Sequence, residues 1–164
     1  MASNALQERL IYKLFDYICD NNPDLLFQLE EERRVTPYLH EKIASIDAVI
    51  MAHATEPEYI LEERCMLALT QDLRPSKYNY IREVLEEEFS ATYRRLIEAG
   101  TLKYEAVNLI GFCQELFDAM HFSETKEQSK LLYYAIAGAI SEYFDKSLAA
   151  EEGKTSWHTT AAKN

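Results

Sequence analysis

An all-α fold is what this chain of 164 residues predicts, and three observations carry the prediction. Glycine and proline number only 4 each, too few for a turn-dense β architecture, and the stretches between them are rich in Leu, Ala, Glu, Lys and Tyr. Apolar residues recur at three- and four-residue steps, the period of a helix with one buried face. Pro23, Pro37, Pro57 and Gly100 fall where such helices would start or stop. The length is that of one ordinary domain, able to bury a core without metals or disulfides. The expected architecture is a single-domain, irregular (orthogonal) bundle of about six to seven helices over residues 1–148, with a flexible polar tail over 149–164.

The first helix is expected to start near Asn4, with Gln7 completing a capping box, and to carry Leu6, Leu10, Leu14 and Tyr17 on one face. It ends near "DNNPD", where Asn22 is placed to cap a short second helix with Pro23 at its first position. Thr36 before Pro37 repeats the device and opens a third helix through Leu39, Ile43, Ile46 and Ile50. Thr55 and Glu58 frame Pro57 and open a fourth, with Leu61, Cys65 and Leu69 on one side. The segment "RPSKYNYIREVLEEEFSATYRRLIEAG" reads as one helix stopped by Gly100, and Tyr78, Ile81, Leu85, Phe89 and Leu96 form its apolar stripe. "LKYEAVNLIGFCQELFDAM" follows. A Thr125-x-x-Gln128 capping pattern then opens the last helix, in which Ala135, Gly138 and Ala139 would let a neighbouring helix approach closely. Leu131 to Ile140, the longest uncharged apolar run, is too short to span a bilayer and marks a buried core helix.

The most concentrated chemical signal is the run Glu86-Glu87-Glu88. Glu86 and Glu87 point away from the apolar stripe and read as a solvated face, whereas Glu88 lies at its margin, where an Arg or Lys partner would be needed. Glu115, Asp118 and His121 follow at three-residue steps, half of a carboxylate-histidine metal site without its second half. No metal or cofactor is expected. His40 and His53 stand alone, and His158 lies in the tail with Trp157, a lone aromatic of the kind that anchors docking. Neither a phosphate-binding Gly-rich loop nor a nucleophile elbow occurs, so catalytic residues are not assigned.

A formal net charge of -11 repels phosphate backbones. The helix-turn-helix outline around Gly100 offers only Lys103 on its second helix, so direct nucleic-acid binding is not expected. Cys19, Cys65 and Cys113 are far apart, sit among apolar residues and read as reduced, buried and slow to react. Charges at Glu8, Arg9, Lys13 and Asp16 interrupt any signal-peptide apolar region, which points to the cytoplasm and away from a membrane.

The segments "LFDYICDNNPDLL", "LRPSKYNYIREVLEEEF" and "FDAMHFSETKEQSKLLYYAIAGAISEYF" resemble, in order and spacing, a family of small all-helical bacterial proteins of unknown function. That family is frequent in gut and oral anaerobes and their conjugative elements. The resemblance covers about residues 6 to 144 and rests on core and turn residues. It implies an accessory protein of a mobile genetic element and supplies no catalytic residue. The functional expectation is a non-enzymatic cytoplasmic protein acting by protein-protein interaction, with Glu86, Glu87, Glu88 and Trp157 as candidate contacts. The alternative is an acidic mimic of DNA, in which Glu30 to Glu32, Glu62, Glu63, Glu83, Glu86 and Glu87 imitate phosphates, although interspersed arginines dilute that field.

Overall fold

A computed structural model describes residues 4–125 and 129–161, with side chains to residue 148. The fold is all-α. Ten α-helices and one short 3-10 turn occur among the described residues, and no strand. The chain divides into two compact units, Met1–Asn79 and Tyr80–Asn164, where the sequence predicts one bundle. A boundary is read in sequence from a linker, and here it falls inside a helix.

The N-terminal unit contains α1 (Asn4–Asn21), α2 (Pro23–Glu31), α3 (Val35–Ala44), α4 (Asp47–Ala52), α5 (Glu58–Leu69) and the 3-10 turn Gln71–Leu73. Helix α1 is the hub and packs against α2, α3 and α5. Its stripe is Leu6, Leu10, Leu14 and Ile18, so Ile18 takes the core position expected for Tyr17, which is half-buried. Leu39, Ile43, Ile46, Ile50, Leu61, Cys65 and Leu69 close over that stripe. Burial of this kind contributes roughly 1.5–3 kcal/mol per large apolar side chain.

Helix starts differ from the sequence expectation in their chemistry. Asn22 is the N-cap of α2 with Pro23 first in the helix, yet its side chain makes no cap bond and donates instead to the Leu73 carbonyl at 3.2 Å. Thr36 does not cap α3. The helix starts at Val35 from Arg34, whose N–H returns to the Leu29 carbonyl at 2.8 Å, while Pro37 lies within the first turn, where no amide proton is required. Pro57, not Thr55, is the N-cap of α5. The expected third helix is two: the Ser45 hydroxyl donates to the Lys42 carbonyl at 2.6 Å, closing α3, and α4 restarts from Ile46 with Ile46 and Ile50 still in the core. Ser76 caps α6 (Lys77–Glu88) by accepting from the Asn79 N–H at 3.0 Å, and its hydroxyl also donates to the Asn21 carbonyl.

The C-terminal unit takes most of α6 and adds α7 (Ser90–Ala99), α8 (Leu102–Phe112), α9 (Gln114–Ala119) and α10 (Lys130–Ala161). Its buried set is Tyr80, Ile81, Val84, Leu85, Ala106, Leu109, Ile110, Cys113, Phe117, Leu132, Ile136 and Ile140. Aromatic rings join the helices edge to face: Tyr80 with Phe117 at 6.0 Å and Phe122 at 5.2 Å, Phe112 with Tyr143 at 5.4 Å. The single helix expected within residues 74–100 is interrupted at Phe89 (φ -133°, ψ 46°), whose ring meets Phe144 at 5.8 Å. A second interruption at Cys113 separates α8 from α9.

Three helices end in the same left-handed turn. At Gly100 (φ 71°) the Thr101 N–H reaches the Leu96 carbonyl and the Gly100 N–H reaches Ile97, each at 3.0 Å. Arg33 (φ 56°) closes α2 by the same pair of bonds, to Leu29 and Glu30, and His121 (φ 53°) closes α9, to Phe117 and Asp118. At His121 the flanking rings of Phe117 and Phe122 clasp at 4.9 Å, the apolar contact that accompanies this motif.

Helix α10 is not buried all round as its apolar run predicts. Leu132, Ile136 and Ile140 are in the core, but Leu131 is 73% and Tyr134 67% exposed. Gly138 is exposed, and a side chain there would meet nothing within 4 Å, so the close helix approach expected at Ala135, Gly138 and Ala139 is not formed. The helix continues to Ala161 through the segment expected as a tail. The Trp157 side chain and the Gln128 end of the expected capping pattern lie outside what the structure describes. No described helix is long and apolar enough to cross a membrane.

Candidate interaction surfaces

The N-terminal unit carries a groove where the start of α1 meets α3, α4 and α5. A cavity of about 660 Å³ has a floor of Leu6, Ile50 and Leu61 and a rim bearing Asp47, Glu56 and Glu58. A second cavity of about 340 Å³ continues it over Ile11 and Ile43, with Glu8 on its edge, and shares Asn4, Gln7 and Asp47 with the first. The floor side chains belong to the core and are nearly covered, with Leu6, Ile50 and Leu61 each buried. Met51 stands on the lip with 79% of its surface exposed, an apolar side chain that the core does not use.

Two of the rim carboxylates are held by cations. Glu56 accepts from Arg64 Nε at 2.7 Å and faces His53 Nδ1 at 3.4 Å, and the Arg64 bond holds its carboxyl below the usual range. Arg9 bonds Glu58 and also reaches Glu62 at 3.5 Å, with Lys13 at 3.2 Å from the same carboxylate. Asp47 and Glu8 have no such bond among the described residues. All four rim carboxylates face the groove, and neither Lys nor Arg lines either cavity.

The glutamate run takes a form the sequence does not give. Glu86, Glu87 and Glu88 are all exposed. Glu88 is not shielded beside an Arg or Lys; its neighbour is the Tyr133 hydroxyl of α10, 2.6 Å from Glu87 Oε2 and 3.1 Å from Glu88 Oε1. Glu88 follows Glu87 into the last turn of α6, and both carboxylates therefore meet one phenol. Desolvation and these two acceptors push the Tyr133 hydroxyl well above its ordinary pKa, so it stays a donor.

Glu115, Asp118 and His121 do not converge. Asp118 instead accepts from Gln114 at 2.8 Å, and the His121 backbone takes the left-handed turn that closes α9. Among the described residues no three His, Cys, Asp or Glu side chains gather as metal ligands do. Cys65 and Cys113 are buried, as expected, while Cys19 is only half-buried. Burial pushes the Cys113 thiol up to about 11 and raises that of Cys65 as well.

Sequence reasoning misses Asp47, Met51 and Glu56 as a group because nothing in the sequence says that α4 and the loop after it close over the start of α1. The available signal is Met51, an apolar residue one step off the face defined by Ile43, Ile46 and Ile50. Comparison of the chain with protein-family models, curated proteins and solved structures returns no match.

Proposed function

We propose that this protein is a non-enzymatic cytoplasmic protein that works by docking another protein, in the setting of a mobile genetic element. The observation that carries the docking reading is the groove of the N-terminal unit, where Met51 stands exposed above the buried Leu6, Ile50 and Leu61 and inside a polar rim. An apolar patch rimmed by polar groups is the ordinary form of an interaction site. The mobile-element setting rests on the family resemblance of residues 6 to 144. Glu62, one of the carboxylates a DNA mimic would display, is matched by Arg9 and Lys13, which weighs toward a protein partner.

The test is capture from the native cell with the wild-type chain and with Met51→Arg, followed by reconstitution of the recovered protein with each. Met51 is exposed, so the substitution leaves the core alone. A purified partner that binds the wild type and loses about tenfold or more in affinity to Met51→Arg supports the groove. Equal binding to both would move docking elsewhere on the molecule.

A further inference from the structure

We infer that α10 carries a self-association face whose occupant is α10 of a second copy of this chain, laid antiparallel. With about 100° of turn per residue, Leu131, Tyr134, Ala135, Gly138, Glu142 and Asp145 share about a third of the helix circumference, opposite the buried Leu132, Ile136 and Ile140. Leu131 and Tyr134 put two large apolar side chains into solvent at the start of this face. At Gly138 an added side chain would meet nothing within 4 Å, so a single copy gives no reason for a residue that weakens a helix interior. A second helix crossing at that point does, because the two backbones can approach closely there.

Charge commits the face to its own copy. Lys130 and Asp145 are exposed, and neither has an ion pair among the described residues, whereas Glu142 is held by Lys146 at 3.0 Å. Lys130 opens the helix, where the macrodipole disfavours a cation. The two residues lie on either side of Gly138, about 12 and 10 Å from it along the axis, and both fall on the Tyr134 edge of the face. A two-fold axis at a Gly138 crossing sets each edge against the same edge of the other copy with its direction reversed. Lys130 of each copy therefore meets Asp145 of the other. Parallel helices would set Lys130 beside Lys130 and Asp145 beside Asp145, and repulsion opposes that arrangement. Leu131 and Tyr134 then lie over the other copy's turns from Gly138 to Asp145, where Gly138 and Ser141 leave room for a ring.

One helix face is a small interface, so the dimer is expected to dissociate with a Kd on the order of 10–100 µM. Sedimentation velocity of the full chain across that range, at about 0.15 M salt to screen the net charge of the two copies, reads the association. Tyr134→Glu should raise Kd about tenfold or more, while Tyr104→Glu, at an equally exposed ring on α8, should change it less than about threefold. Lys130→Glu and Asp145→Lys should each weaken the dimer, and the double variant should return to within about twofold of the wild type. In a Cys19→Ser background, which removes the half-buried native thiol, Gly138→Cys should cross-link two copies on oxidation. Leu131→Cys should not, because its two positions lie about 20 Å apart and a disulfide spans about 7 Å at most. Circular dichroism checks that each variant folds. A monomer across the whole range, an equal loss in Tyr104→Glu, a double variant no better than the single ones, or cross-linking through Leu131→Cys would each overturn the inference.

Discussion

The two units solve the same packing problem with different side chains. The N-terminal unit closes Leu and Ile from four helices around α1 and ties α1 to α5 outside the core through Arg9, Lys13, Glu58 and Glu62. The C-terminal unit sets most of its rings edge to face, Tyr80 against Phe117 and Phe122 in one group and Phe112, Tyr143, Phe144 and Phe89 in another, while Phe117 and Phe122 meet at a tilt. Aliphatic side chains need only volume and burial, whereas rings also need a defined mutual angle. The first unit should therefore tolerate repacking better than the second.

The largest effects test that difference at the cores. Phe117→Ala should cost about 3–5 kcal/mol, and Leu14→Ala about 2–5 kcal/mol, in urea unfolding. Phe117→Met and Leu14→Met sharpen the contrast: the leucine site should lose less than about 1.5 kcal/mol and the ring site more. Equal losses would break the comparison. Hydrogen exchange should rise over 102–119 in the Phe117 variant and over 5–18 in the Leu14 variant.

Thiol chemistry comes next. Ellman's reagent should modify Cys19 first and Cys65 and Cys113 only on unfolding, since two are buried and one is half-buried. An unfolded Cys113 ionises near 9.0 and the folded one near about 11, so across that window the unfolded chain gives up a proton that the folded chain keeps. Stability falls as pH rises from 9 to 11. That slope should be shallower in Cys113→Ala, and an unchanged slope would place its cause elsewhere.

The helix ends permit a matched pair. Arg33 and His121 hold the left-handed position that Gly100 holds in α7, and a side chain there costs about 1–2 kcal/mol. Arg33→Gly and His121→Gly should each raise stability by about 0.5–1 kcal/mol, because glycine's greater freedom in the unfolded chain offsets part of the relief. A gain at Arg33 with none at His121 would show that the Phe117–Phe122 clasp already removes the strain in the C-terminal unit.

The smallest effect concerns the glutamates. Glu86→Gln with Glu87→Gln should change stability by no more than about 0.5 kcal/mol, as surface substitutions do. Glu88 remains as an acceptor for Tyr133. A melting temperature that stays constant while partner binding is lost would make this run, not the groove, the contact surface.

The same contrast explains what the sequence discloses. The all-α class and the stripes of α1, α3 and α5 were legible because aliphatic residues at helical spacing report burial directly. Ile46 and Ile50 continue that spacing across Ser45, so the break between α3 and α4 was hidden by its own regularity. Phe89 and Cys113 likewise continue an apolar period while their backbones leave the helix. Gly100 announced its turn because only glycine takes it without a steric cost, and Arg33 and His121 did not. Glu88 was misread for a different reason: helical geometry placed it at the edge of a stripe but could not say that a phenol from α10 would meet it. The groove was illegible altogether, since Leu6 is far in the chain from Asp47 and Glu56, which it meets only in the fold.

The position of α1 as hub also sets the order of events during synthesis. Its stripe of Leu6, Leu10, Leu14 and Ile18 is complete when residue 18 has been added, but Arg9 meets Glu58 only 49 residues later in the chain. At roughly 5–20 residues per second, α1 leaves the ribosome about 2–10 s before α5 is there to cover it. During that interval α2 and α3, which also pack on α1, are the segments at hand to cover its stripe.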